Sequence, residues 1–190
     1  MLNKITLILF LSIFTTCTFA NNNPQILITT NKGNIELELN AKKAPKTVAN
    51  FLQYVNSGFY TGTIFHRVIK NFMIQGGGFT ENLVKKNTLP EIPNEAFNGL
   101  QNTRGSIAMA RTNMPHSATS QFFINTKDND RLNHSGKSMR GWGYTVFGKV
   151  TKGIDVVDTI ENSRTGEKGI FLKDAPLEPV IILSIQIINK

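Results

Sequence analysis

Residues 65–79, FHRVIKNFMIQGGGF, decide how the rest of this 190-residue chain is read. They place one arginine inside an otherwise apolar strand pair that ends in three glycines. Side chains alternate faces along a strand, which puts Phe65, Arg67 and Ile69 on one side and Ile64, His66 and Val68 on the other. Met73 and Gln75 share a face on the next segment. With the two strands as neighbours, Arg67 and Gln75 stand beside Phe72 and Met73 at the edge of an apolar hollow, the form of a small-molecule or peptide pocket. The bland use of Arg67 is a surface ion pair. The nearest flanking sequence supplies no carboxylate for one.

A second segment, Ser120-Gln121-Phe122-Phe123-Ile124, contributes to the same hollow. Gln121 and Phe123 share one face, leaving Ser120, Phe122 and Ile124 for the core. Phe122 then packs the interior while Phe123 floors the pocket. Periodicity alone is equally compatible with both rings in core layers.

Working outward, Gln25–Thr30 and Asn34–Leu39 are β-like runs joined by a hairpin signal at Asn31-Lys32-Gly33. A helix follows, with Pro45 in its first turn and Val48, Phe51, Leu52 and Val55 on one apolar face. Asn56-Ser57-Gly58 ends it. Residues 80–104 carry two prolines and little periodicity and read mainly as loop. Strands resume at Ser106–Ala110, Gln121–Asn125 and Tyr144–Lys149. A second helix, about Lys152–Asn162, directs Ile154, Val156, Val157 and Ile160 to the core. Near the C-terminal end Ile181, Leu183, Ile185 and Ile187 alternate as one buried strand face. About eight strands and two helices suggest a closed barrel capped by helices, because closure removes exposed edges; a sandwich is the alternative. Gly76-Gly77-Gly78 and Gly136-Lys137-Ser138 lack phosphate-loop spacing and read as turns.

Composition narrows the classes. Lys4, the apolar run Ile5–Phe14 and the small residues of Thr18-Phe19-Ala20 read as a secretory signal peptide over residues 1–20. The run falls short of the roughly 20 residues of a membrane-spanning helix. A lipid anchor at Cys17 ranks below plain export because Phe14-Thr15-Thr16 fits a lipid-attachment signal poorly. Export to the periplasm is expected, with secretion as the alternative. The mature segment, 21–190, spans 190 − 20 = 170 residues, enough for one domain with a full core. It would hold no cysteine, and His66, His116 and His134 show no metal-ligand spacing, so neither metal nor cofactor is expected. The net charge of +8 is spread through the chain, without a recognition helix, stacking platform or basic arm for nucleic acid. No long exposed apolar run calls for a second subunit, and a monomer is expected.

These segments resemble a known family. FHRVIKNFMIQGGGF is similar to the cyclophilin signature, and Met109-Ala110-Arg111 through Ser117-Ala118-Thr119-Ser120-Gln121-Phe122-Phe123-Ile124-Asn125 resembles the bacterial, exported branch of these peptidyl-prolyl cis-trans isomerases. The resemblance covers about Gln25–Ile188. It implies an eight-stranded antiparallel barrel closed by two helices, in agreement with the count above. It also implies that Arg67 is catalytic, and that Phe72, Met73, Gln75, Ala110, Arg111, Gln121, Phe123, Leu132 and Tyr144 bind proline-containing peptides of unfolded or folding proteins. Two positions depart from the eukaryotic pattern: a tryptophan of cyclosporin-sensitive members corresponds to Arg131, and a histidine to Tyr144. Weak cyclosporin A binding is the expectation. A non-catalytic proline-binding or chaperone module is the runner-up, against which the retained Arg67 counts, since gripping a proline ring needs no guanidinium.

Overall fold

Two threonine hydrogen bonds set the first hairpin. Thr30 Oγ1 donates to the Gly33 carbonyl at 2.8 Å and accepts from the Lys32 amide at 3.0 Å, joining β1 (Gln25–Thr30) to β2 (Gly33–Leu39). The computed structural model describes residues 23–188; the expected leader, including Cys17, lies outside them. Helix α1 (Pro45–Asn56) follows, then β3 (Thr63–Ile69), β4 (Met73–Thr80), β5 (Ser106–Met109), β6 (Phe122–Asn125) and β7 (Val146–Lys152). Helix α2 (Ile154–Glu161), a hairpin of β8 (Thr165–Lys168) and β9 (Phe171–Pro176), and β10 (Ile181–Ile187) complete the chain. The order β1-β10-β3-β4-β6-β5-β7-β2 closes into an eight-stranded barrel with every neighbour antiparallel. Strands β8 and β9 form a separate two-stranded sheet.

Alternation fills the barrel where strands are regular. Ile26 and Ile28 of β1 meet Ile35, Leu37 and Leu39 of β2 inside, while Glu36 and Glu38 face out. The apolar face of α1 covers this interior, with the Phe51 ring 5.3 Å from Tyr60, 5.7 Å from Phe122 and 5.3 Å from Phe147. Truncating such a ring costs about 3–5 kcal/mol, so this aromatic knot anchors the helix to the barrel. The start of α1 has no capping side chain of its own. Glu95, from the long connection before β5, supplies it: one carboxylate oxygen accepts the Lys46 amide at 3.1 Å and the other the Thr47 amide at 2.8 Å. A carboxylate there satisfies orphan donors and suits the positive end of the helix dipole. Residues 80–104 are therefore a docked loop, with one short 3-10 turn at Ala96–Asn98.

Four expectations are corrected, two of them by irregular registers in the barrel. In β3, Phe65 pairs with Gly76 but Arg67 with Gln75, so His66 is a bulged extra residue. Phe65 consequently turns into the core against Phe122, and does not share the face of Arg67. In β10, Ser184 pairs with Thr29 but Ile182 with Thr30, and the extra residue Leu183 is 49% exposed. Ile182 and Ile185 are the buried residues in its place. Gly76–Gly78 lie within β4, not in a turn. In α2 Val157 and Ile160 are buried and Val156 packs against the core over Gly33, as expected, but Ile154 is exposed at the first turn. Strand and helix ends also move slightly: β7 begins at Val146 and not Tyr144, and Lys152 belongs to β7 and not α2. The β8–β9 hairpin and the 3-10 turn at Asp130–Leu132 are not announced by the periodicity of the sequence.

Candidate active site

Strands β5 and β6, with the adjoining starts of β4 and β7, are buried on both faces. Phe122 and Ile124 point inward, while Phe123 joins Met73, Ala108 and Val146 in a second apolar cluster outside, so the two adjacent phenylalanines do different jobs. Phe72, Leu132, Ala110 and Tyr144 pack around that cluster. The result is an open cavity of about 410 Å³ bordered by all ten residues singled out from the sequence, Arg67 and the nine others. Its size lies within the range of small-ligand and peptide-side-chain pockets. Phe123 and Tyr144 meet edge to face at 5.6 Å, giving two walls of the apolar end.

A row of polar side chains crosses the cavity. Gln75 Nε2 donates to Gln121 Oε1 at 2.9 Å, and Gln75 Oε1 accepts from Arg67 Nη1 at 3.4 Å. Asp174 Oδ2 of β9 stands 3.9 Å from Arg67 Nε. The surface ion pair set aside from local sequence thus exists, with a carboxylate supplied from far along the chain. It does not consume the guanidinium, whose side chain stays 42% exposed. The glycines of β4 permit close approach, Gly78 to this row and Gly77 to the core. Gly77 takes φ +80 where β4 is irregular, and a Cβ on it would lie 2.9 Å from both Tyr60 and Phe122. A Cβ on Gly78 would lie 2.5 Å from Gln121 Cγ. The triplet therefore lets core aromatics press on one side and an amide side chain lie flat on the other.

Buried asparagines hold the walls from behind. Asn129 Nδ2 donates to the Phe72 carbonyl at 2.8 Å and to Asn125 Oδ1 at 2.7 Å. Asn125 Nδ2 donates onward to Asn102 Oδ1 at 3.2 Å, and Asn102 Nδ2 to the Leu132 carbonyl at 3.2 Å. The residues before and after the pocket are thereby tied to one network, whose buried members are costly to leave unpaired. Arg111 is fixed at the rim, with Nε donating to the Gly143 carbonyl at 2.9 Å and its guanidinium 4.6 Å over the Tyr144 ring.

Three lining residues escaped the sequence reading: His66, Phe79 and Phe171. His66 packs against the rings of both Phe79, at 4.7 Å, and Phe171, at 5.3 Å. Burial pushes its pKa down to about 4, reinforced by the Arg67 charge and opposed in part by the Ile64 backbone and Gln121. The imidazole is neutral at pH 7. The signal that could have found it was the imidazole within an apolar strand beside Arg67; its bulged position and its partner on β9 were not deducible locally.

The arrangement offers an apolar pocket with a fixed cationic donor and neutral amides along one edge. Comparisons with known proteins agree with this chemistry. Residues 25–187 match the family described as cyclophilin type peptidyl-prolyl cis-trans isomerase/CLD. The chain is 57% identical over 158 residues to peptidyl-prolyl cis-trans isomerase B of Escherichia coli, covering 83% of this chain and 96% of that one. It is 50% identical over 189 residues to peptidyl-prolyl cis-trans isomerase A of Dickeya dadantii, covering 100% and 97%. A crystal structure of a Cryptosporidium parvum cyclophilin type isomerase in the presence of the dipeptide Ala-Pro superposes with a TM-score of 0.71 at 31% identity, over 87% of this chain and 99% of that one.

Proposed function

From the premise that the chain belongs to the cyclophilins and is a peptidyl-prolyl cis-trans isomerase, we propose that Arg67 catalyses X-Pro rotation in the cavity just described, on proteins folding after export. Rotation about the amide faces a barrier of roughly 18–20 kcal/mol from resonance, while the X-Pro isomers differ by only about 0.5–1 kcal/mol. No bond to a heavy atom is made or broken. Only the twisted amide needs stabilisation, and in it the proline nitrogen regains a lone pair. Arg67 donates to that nitrogen, an interaction weak in the planar ground state and strong in the transition state. Phe72, Met73, Phe123 and Leu132 hold the ring, and Tyr144 closes the wall. Gln75, Gln121 and the backbone at Ala110 and Arg111 hold the flanking peptide groups.

The observation that carries this reading is the Arg67 guanidinium anchored by Gln75 and Asp174 beside the Met73–Phe123 apolar cluster. A protease-free isomerisation assay on a short Ala-Pro peptide tests it, with Arg67→Ala as the comparison; unchanged turnover in that variant removes Arg67 from the mechanism. The export part of the proposal is supported by Lys4, the apolar run Ile5–Phe14 and the small residues before Asn21. Mass measurement on the protein from its native host should show a chain beginning near Asn21. A full-length cytosolic protein would defeat it. Proline-containing segments of unfolded or folding proteins are the substrates on this reading.

A further inference from the structure

Beyond the polar row, the cavity has a second apolar end that the grip on proline does not use. Met73 and Phe79 stand at opposite parts of β4, and Phe79 belongs with Phe171 and His66 rather than with the Met73–Phe123 cluster. The Phe79 and Phe171 rings meet edge to face at 5.0 Å. All three residues line the same cavity as Arg67, so the two apolar ends are continuous across Arg67, Gln75 and Gln121. The second end is built by the β8–β9 hairpin, which lies outside the closed barrel. Its tip leaves Ile170 65% and Leu172 82% exposed.

We propose that the aromatic end formed by His66, Phe79 and Phe171 is a side-chain subsite that takes an aromatic or large branched apolar residue of the same peptide, a few positions from its proline. The inference rests on the isomerase reading of the cavity. Met73 and Phe79 are six residues apart on β4, whose irregularity at Gly77 makes roughly 3.3 Å per residue an upper bound, so an extended peptide with its proline at one end reaches the other within about six residues. Three rings in edge-to-face and tilted contact present faces and edges for a fourth. The neutral state of His66 at pH 7 keeps this end free of charge. Of the charged residues beside it, Arg67 and Asp174 face each other, and Lys85 is the bridge partner of Phe79. The hairpin thus supplies sequence preference outside the X-Pro bond, while Arg67 supplies rate.

The test is an enzyme-by-peptide double-mutant cycle. Peptides of about ten residues carry one Ala-Pro and a single Phe walked through the flanking positions, each matched by an Ala peptide. At one or two positions Phe should raise kcat/KM of the wild-type chain by roughly 2- to 12-fold, mainly through KM. That Phe-to-Ala ratio should fall to near one in Phe171→Ala and return in part in Phe171→Leu. Because the ratio is taken within each enzyme, a general loss of activity in the variant cancels. No advantage at any position, or one that survives Phe171→Ala, overturns the subsite. In the wild-type chain, nuclear Overhauser contacts between the peptide Phe ring and the rings of His66 and Phe171 are expected, and their absence overturns it independently of any variant. Unchanged turnover of the short Ala-Pro peptide in Arg67→Ala would instead defeat the underlying site assignment.

Discussion

Asp174 Oδ2 lies 3.9 Å from Arg67 Nε, and Asp174 holds that position at φ +64. The left-handed backbone favours Gly, Asn and Asp, so Asp174→Asn keeps the local fold while removing the charge. A half-exposed pair contributes about 0–1 kcal/mol to stability, which makes the consequence of losing it one of orientation. Asp174→Asn should lower kcat/KM roughly two- to tenfold and leave the thermal midpoint within a few degrees. A drop confined to stability would assign the carboxylate a structural role only.

Arg67→Ala should lower kcat/KM by roughly two orders of magnitude or more, about 3 kcal/mol, the scale of one lost transition-state donor. Arg67→Lys should restore little, because an ammonium lacks the planar fork that reaches Gln75 and the substrate together. Both variants should fold, since the side chain lies on the pocket surface and not in the barrel. Rate measured against thermal midpoint separates chemistry from unfolding.

Gly78→Ala places a Cβ 2.5 Å from Gln121 Cγ and 2.6 Å from its Nε2. The obstacle is a flexible side chain, so the amide moves and the fold survives. Its hydrogen bond from Gln75 is then lost, and activity should fall about tenfold, the equivalent of roughly 1.4 kcal/mol, with a small change in midpoint. Full activity in Gly78→Ala would show that the Gln75–Gln121 pair is not needed in its present geometry.

Arg131 is exposed beside Leu132, its guanidinium 5.5 Å over the Phe72 ring. A charged, hydrated side chain there cannot replace an apolar wall and indole donor without desolvation, so cyclosporin A should bind weakly. Arg131→Trp should tighten inhibition while isomerisation stays broadly similar. Titration of inhibitor against turnover decides it, and tight inhibition of the unmodified chain would count against this role for Arg131.

His66 is neutral in the folded state down to about pH 4, while an unfolded histidine takes up its proton near 6.5. The unfolded chain therefore binds more protons between those values, and stability falls as pH drops through that window. The loss between pH 7 and pH 5 should be roughly 2 kcal/mol, from about 1.36 kcal/mol per pH unit below 6.5. Urea unfolding of the wild type and His66→Gln at both pH values measures it: the wild type should lose more by that amount. An equal loss in both would show that His66 is not the group responsible.

Local sequence was enough for much of the barrel and for placing Arg67, Phe72, Met73, Gln75, Gln121 and Phe123 at one hollow. Hairpin chemistry at Asn31-Lys32-Gly33 and the apolar face of α1 are short-range properties, set by turn geometry and the 3.6 period. The period of two left the role of Phe123 open, and the packing outside the barrel decided it. Motif resemblance then added Ala110, Arg111, Leu132 and Tyr144 before their contacts were known. What only the tertiary structure decided begins where the period of two breaks. Closing eight twisted strands requires irregular registers, and the bulges at His66 and Leu183 rotated Phe65 into the core and Leu183 out of it. Asp174, Phe171 and Glu95 act on partners distant in sequence, and no local pattern encodes a contact whose two halves are brought together by chain closure.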